Sequence, residues 1–322
     1  MTSLIPGLRI GHFTDTERGT GCTVILCESG AVAGVDVRGA APGTRETDLL
    51  DPSNMVPSVH AVVLTGGSAY GLGAADGVMR YLQERGVGFD TRIHPVPIVP
   101  AAVVFDLGLG PVAWPDAAAG YAACEAATED TPAEGSVGAG TGATVGKIMG
   151  PTGAVKGGVG YAAVTLPAGA TVAALIVVNA LGDVVDPATG EIVAGARGPD
   201  GRFVDAVKIL TGGWSLSEAG TNTTIGAVMT DAKLTKAEAR ALARTAHDGL
   251  AWAVRPAHTL FDGDTLFALS IGEKAADAVS LGTAAAVVVS QAILRAVRAA
   301  DGLFGVPGIR EIQSAPASGN SD

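Results

Sequence analysis

The chain has 322 residues, of which 48% are hydrophobic and only 16% charged, so it has ample material for a large core and little for disorder. A formal charge of −11 without a basic stripe argues against nucleic acid as a partner. Three cysteines (Cys22, Cys27, Cys124) are too few for a disulfide framework, and no apolar run is long and unbroken enough to span a bilayer.

Aromatic residues make up only 4%, so the core must be built from Ala, Val, Leu and Ile, with 46 glycines permitting close backbone approach. The N-terminus shows no charged segment followed by an apolar one. The expectation is a cytoplasmic protein with no membrane or nucleic-acid partner. Few charges also leave apolar surface, which favours oligomers.

In chain order, short Val-, Ile- and Thr-rich runs bounded by Gly, Pro or Asp predict strands. They are Cys22–Cys27, Ala31–Val37, His60–Leu64, Ala101–Phe105, Gly158–Thr165, Thr171–Val178, Thr223–Thr230 and Thr265–Ile271. Apolar residues on consecutive positions predict strands covered on both faces. Cys22 and Cys27, five apart in one such run, point to opposite faces as small buried hydrophobes. Helices are predicted over Ser68–Arg85, Asp116–Glu129, Thr235–Val254 and Ala275–Ala300; the third opens with the capping-box pattern Thr235-Lys236-Ala237-Glu238. The small polar residues from Ser314 to Asp322 read as a frayed tail. No linker divides the chain, which reads as a single α+β domain over 1–322.

Two glycine-rich stretches imitate nucleotide loops and fail. In Gly138–Lys147 the first required glycine is Thr141, and Ile148 stands where Ser or Thr should hold magnesium. Gly66–Gly77 has the wrong glycine spacing for a dinucleotide. Five scattered histidines form no ligand pair, so no metal or cofactor is expected.

Other residues suggest chemistry. Thr223 opens a strand just after Asn222. If the chain breaks between them, Thr223 gains a free α-amine beside its own hydroxyl, a nucleophile and base in one residue. Asp262-Gly263-Asp264 places two carboxylates on one side of an extended segment, where like charges raise one pKa; a solvated turn is the plainer reading. Lys147 is the lone charge in the apolar stretch Gly135–Val155, either reaching solvent or meeting an anion. Asn179 interrupts the apolar run Thr171–Leu181 and has an amide to place on a partner or an oxyanion.

Several ordered segments carry a resemblance: Pro6–His12, Gly34–Gly39, Gly43–Asp48, Leu64–Leu72, Gly220–Thr224 and His258–Thr265. On these the chain resembles the L-aminopeptidase/D-esterase family of N-terminal nucleophile hydrolases, on the side of the nylon-oligomer hydrolase. The resemblance implies a four-layer α/β/β/α sandwich. It also implies self-cleavage into an α chain (1–222) and a β chain (223–322), working as a homotetramer of αβ units. Thr223 then matches the nucleophile, Asn179 the oxyanion asparagine, Lys147, Asp262 and Asp264 the polar residues around it, and Tyr70 the tyrosine that approaches the scissile carbonyl. Asp262 or Asp264 is the expected base for self-cleavage. The implied activity is hydrolysis of small linear amides, either 6-aminohexanoate oligomers or short peptides and amino acid amides. Alternatives are an aminopeptidase or β-peptidyl aminopeptidase proper, an acyltransferase using the same threonine, and a non-catalytic binding protein. Thr223 and the paired Asp side with the nylon-oligomer branch, because the aminopeptidase members typically use Ser as nucleophile and place Ser and Glu at those two positions.

Overall fold

The computed structural model describes residues 4–213 and 222–314. Nine strands form one hydrogen-bonded system: β1 (Arg9–Asp15), β2 (Thr20–Val37), β3 (Thr44–Arg45), β4 (Val59–Thr65), β5 (Ala101–Val103), β6 (Gly158–Thr165), β7 (Thr171–Asn179), β8 (Thr223–Ala232) and β9 (Thr265–Lys274). Their order is β6-β7-β8-β9-β2-β4-β5-β3, with β1 also on β2. Pairing is antiparallel except for β8–β9 and β4–β5, which are parallel.

β2 joins two sheets. Its first half pairs with β1 and β4, and its second half pairs with β9. The register shifts between Leu26 and Ala31, where Gly30 takes φ +89°, a backbone open to glycine at no steric cost. The sequence places two strands here; they are one bent strand.

Alternation along the strands then builds the layers. Ile25, Val62, Leu175, Ile225 and Phe267 face inward between the two sheets. Cys22, Val24 and Val63 face the other way, onto α1 (Ala74–Gln83) and α2 (Ala117–Glu125). A short helix, α3 (Ala206–Thr211), follows before β8. Val172, Ala174, Val228 and Ala268 face α4 (Lys236–Ala253) and α5 (Ala278–Ala299). The result is the expected α/β/β/α sandwich, and Cys22 and Cys27 lie on opposite faces of β2 as their spacing requires. Burial pushes the Cys27 and Cys124 thiols up to about 12, so they pack as inert hydrophobes.

α4 starts where predicted, with the Thr235 hydroxyl and the Glu238 carboxylate each capping the other's backbone N–H. α4 and α5 pack closely because residue 249 is glycine; a Cβ there would enter the Ala286 backbone. By length and composition α5 is apolar enough to cross a membrane, yet it lies against β6 and β7 with its apolar residues in the core. The predicted helix over Ser68–Arg85 begins as a 3-10 turn at Ser68–Gly73 before α1. Strand β1 has no counterpart among the predicted strands. Ser314, expected to begin a tail, ends α6 (Ile309–Ser314); the rest of that tail lies outside the described residues.

Candidate active site

Three strand ends meet at one end of the sheet. β7 ends at Asn179, β8 begins at Thr223, and β9 begins one residue after Asp264. Antiparallel pairing sets Asn179 opposite Thr223, and parallel pairing sets Ile225 opposite Thr265. Segments far apart in sequence therefore deliver Asn179, Thr223 and the pair Asp262 and Asp264 to one place. Thr223 is only 5% exposed, and Asn222, Asp262 and Asp264 are each 2% exposed.

The Asn222–Thr223 link is held from two sides. The Thr223 hydroxyl donates to the Asn222 carbonyl oxygen. The same oxygen accepts the Gly263 N–H at 3.1 Å. Two donors on one carbonyl draw electron density from its carbon and ready it for attack.

The two carboxylates have different work. Asp264 accepts the Thr224 N–H on Oδ1 at 2.6 Å, and the His258 N–H (3.0 Å) and Nδ1 (2.8 Å) on Oδ2. Asp262 accepts the Thr259 N–H (2.8 Å) and hydroxyl (2.5 Å) on Oδ2. Burial, then the Asp264 charge, pushes Asp262 up to about 6. Asp264 is an anchor for the backbone beside Thr223. Three N–H donors converge on it, from Thr224 and from the backbone and ring of His258.

Lys147 reaches the same place from the loop after Val145. Its N–H donates to the Leu181 carbonyl at 3.0 Å, and its Nζ to both the backbone oxygen and Oδ1 of Asn179 at 2.9 Å. Burial pushes this ammonium down to about 7; Asp262 and Asp106 pull it back up, and Lys156 pushes it further down. A neutral amine has two N–H groups for the Asn179 oxygens and a lone pair with which to take a proton. Asn179 Oδ1 also accepts the Thr144 N–H (3.0 Å), while Nδ2 donates to the Phe105 carbonyl (3.1 Å), so the amide is fixed in orientation.

A cleft of about 350 Å³ opens on this cluster, lined by Asn222, Lys147, Thr144, Phe105, Asp106 and Leu181 among others. Tyr70 is not among the described residues lining it. That ring is exposed and stacks on Trp114 at 4.6 Å. Its turn nonetheless follows Gly67, whose N–H donates to Asp106 Oδ1 at 2.6 Å, so Tyr70 stands on a loop tied to the cleft wall.

Sequence reasoning passed over two charges. Asp106 lines the cleft, accepts the Thr20 hydroxyl at 2.7 Å, and is pushed up to about 6 by burial. Lys156 is fully buried, donates to the Thr141 and Ala143 carbonyls at 2.6 and 2.9 Å, and is pushed down to about 7 by burial. Each is a lone charge in an apolar run, the signal that singled out Lys147. Among the described residues no group of three or more His, Cys, Asp or Glu is placed to hold a metal.

Comparison with known proteins gives the family. Residues 4–310 match peptidase family S58. A Mycobacterium bovis protein named as an uncharacterized aminopeptidase is 45% identical over 96% of both chains. A 6-aminohexanoate-oligomer endohydrolase of Paenarthrobacter ureafaciens is 33% identical over 90% of this chain and 84% of its own. Two solved structures share the fold at lower identity. A Burkholderia sp. beta-aminopeptidase has a TM-score of 0.70 at 22% identity, covering 97% of this chain and 94% of its own. The L-aminopeptidase D-Ala-esterase/amidase of Ochrobactrum anthropi, described as a variant of the Ntn hydrolase fold, has a TM-score of 0.69 at 20% identity, covering 94% of this chain and 87% of its own. The chain belongs to peptidase family S58, is an amide-bond hydrolase, and shares the fold of the N-terminal nucleophile hydrolases.

Proposed function

We propose that the chain cuts itself between Asn222 and Thr223, and that the new N-terminal Thr223 hydrolyses small amides bearing a free amino group. The observation behind this reading is the Thr223 hydroxyl seated on the Asn222 carbonyl, with Lys147 held across the strand pair by Asn179. In the first stage Lys147, near half neutral at pH 7, takes the Thr223 proton. The hydroxyl oxygen attacks the Asn222 carbonyl carbon, and the Gly263 N–H holds the oxyanion. The proton passes to the leaving Thr223 nitrogen, the peptide becomes an ester, and water hydrolyses it. In the second stage the freed α-amine, with a reference pKa of about 7.7–8.0, takes the hydroxyl proton as a substrate amide is attacked. Asn179 holds the second oxyanion, and water releases the acyl group.

The cleft supports a substrate class. Asp106 offers a carboxylate in its wall, suited to a substrate ammonium. Amino acid amides, short peptides and 6-aminohexanoate oligomers all carry that group. The names of the relatives, aminopeptidase and 6-aminohexanoate-oligomer endohydrolase, support the same class. The reading extends to a cytoplasmic homotetramer of αβ units, for which exposed Ile93, Val112, Leu260 and Val279 are support.

Intact mass spectrometry tests the first stage. Scaled by length from 31.9 kDa, the pieces are expected at about 22 and 10 kDa, and native mass of the same sample reads the assembly. Thr223→Ala is expected to remain one chain and to be inactive on a panel of amino acid amides, β-peptides and 6-aminohexanoate oligomers. A fully active Thr223→Ala enzyme would sink the assignment.

A further inference from the structure

Behind the site lies a buried array of polar groups that the reaction as described does not use. His247, on α4, is fully buried. Its Nε2 lies 3.0 Å from the Asp36 carbonyl oxygen. A carbonyl only accepts, so Nε2 carries the hydrogen and Nδ1 the bare lone pair. Burial pushes His247 down to about 4, which keeps it neutral at working pH. Its ring meets the His258 ring edge to face at 4.9 Å. His258 in turn faces Asp264 through Nδ1, and a carboxylate there also only accepts, so Nδ1 carries the hydrogen.

Three features set this array apart from ordinary packing. His247 Nδ1 and His258 Nε2 are buried and have no hydrogen-bond partner among the described residues, a cost that an apolar ring would avoid. His258 has φ +56°, a left-handed backbone uncommon outside glycine. That backbone puts its own N–H and its ring Nδ1 on the same carboxylate oxygen. The other oxygen of that carboxylate holds the Thr224 N–H, one residue from the hydroxyl that attacks.

We propose that His258, braced by His247, is a positioning residue: it fixes the Asp264 carboxylate, which holds the Thr224 N–H at the start of β8 and so aims Thr223. The proposal rests on Thr223 being the nucleophile. It predicts that the essential feature is a donor at the Nδ1 position and not the ring itself.

Two substitutions of similar polarity separate these possibilities. His258→Asn sets its amide nitrogen near the Nδ1 position, whereas His258→Gln sets it near Nε2. Self-cleavage rate by intact mass, then kcat and KM on one amino acid anilide, are measured for both with the wild type. His258→Gln is expected to lose about 10- to 100-fold in cleavage rate and kcat, with KM within about twofold, the cost of misaiming a reacting group. His258→Asn is expected to stay within about threefold of wild type. Equal losses in the two variants, or no loss in either, overturn the proposal, and thermal unfolding of both checks that neither loss is a loss of fold. If both variants fail to fold, His247→Ala, which removes the ring that braces His258 and leaves the His258 donor in place, is used instead. It is then expected to lower kcat with KM unchanged, and wild-type kcat overturns the proposal. Thr223→Ala in parallel keeps the two readings apart. An active Thr223→Ala enzyme overturns the nucleophile, while an inactive one with equal Asn and Gln variants overturns only the positioning role.

Discussion

Two lysines, one in the cleft wall and one buried away from it, are both driven down to about 7 by burial. Lys147 lies on the cleft surface, with Nζ on the oxygens of Asn179, the residue opposite Thr223. Lys156 lies beneath it, donating to the Thr141 and Ala143 carbonyls. Asp106 pulls both back up. A perturbed pKa therefore does not by itself mark a base. Place in the cleft separates the two: Lys147 lines it beside Asn222, where the proposed mechanism needs a base, and Lys156 ties down the loop that carries its twin.

The largest expected effect falls on Lys147. Lys147→Met should slow self-cleavage by about 10²- to 10⁴-fold, the usual contribution of a general base. If the neutral Lys147 amine is the base, as proposed, the cleavage rate should rise with pH below about 7 and level off above it. Lys147→Met should lose that rise. Time courses of chain cleavage between about pH 5.5 and 9, a range that brackets the Lys147 transition, measure both. A Lys147→Met precursor that cleaves at the wild-type rate would end the comparison, because both lysines would then be structural.

Asp106, the charge that both lysines share, should give a smaller and more selective effect. Asp106→Asn is expected to raise KM about 10- to 100-fold for an amide with a free amino group, the worth of one charge-assisted hydrogen bond. The N-acetylated form of the same amide should show no such change. Steady-state kinetics on the two substrates decide it. An equal effect on both would assign Asp106 to the lysines and not to the substrate.

What the sequence made legible followed from local pattern. The capping box of α4, the opposed Cys22 and Cys27, and the lone charge Lys147 each needed only neighbours in the chain. The Asp262-Gly263-Asp264 spacing was half legible. It put both carboxylates at the site, but their division of labour depends on Thr259, His258 and Thr224, and tertiary pairing alone sets those contacts. β1 escaped because Arg9–Asp15 mixes charged and polar residues with apolar ones and is held chiefly by seven register pairs to β2. His247 and His258 looked scattered; the turn after α4 folds one ring onto the other. Lys156 and Asp106 were readable by the rule that found Lys147, had it been applied to every lone charge.

Lys156 carries the smallest effect on activity and the clearest one on stability. In the folded chain its ammonium gives up its proton near pH 7, whereas the unfolded value is 10.5. Between those limits the unfolded chain binds the extra proton, so this residue makes stability rise with pH and fall as pH drops toward 7. The slope is at most about 1.4 kcal/mol per pH unit for one proton. Lys156→Met removes that slope. It also leaves the Thr141 and Ala143 carbonyls without their donor, which costs about 1–3 kcal/mol for each buried group left unpaired, against the relief of no longer burying an amine. The net change at pH 7 is therefore small, and wild type should gain on the variant as pH rises to 9. Denaturant unfolding of both proteins at pH 7, 8 and 9 measures the difference, with kcat on the same samples within about threefold of wild type because Lys156 touches neither Thr223 nor the cleft. Parallel stability curves, or a kcat loss as deep as that of Lys147→Met, would show that Lys156 shares the work of Lys147.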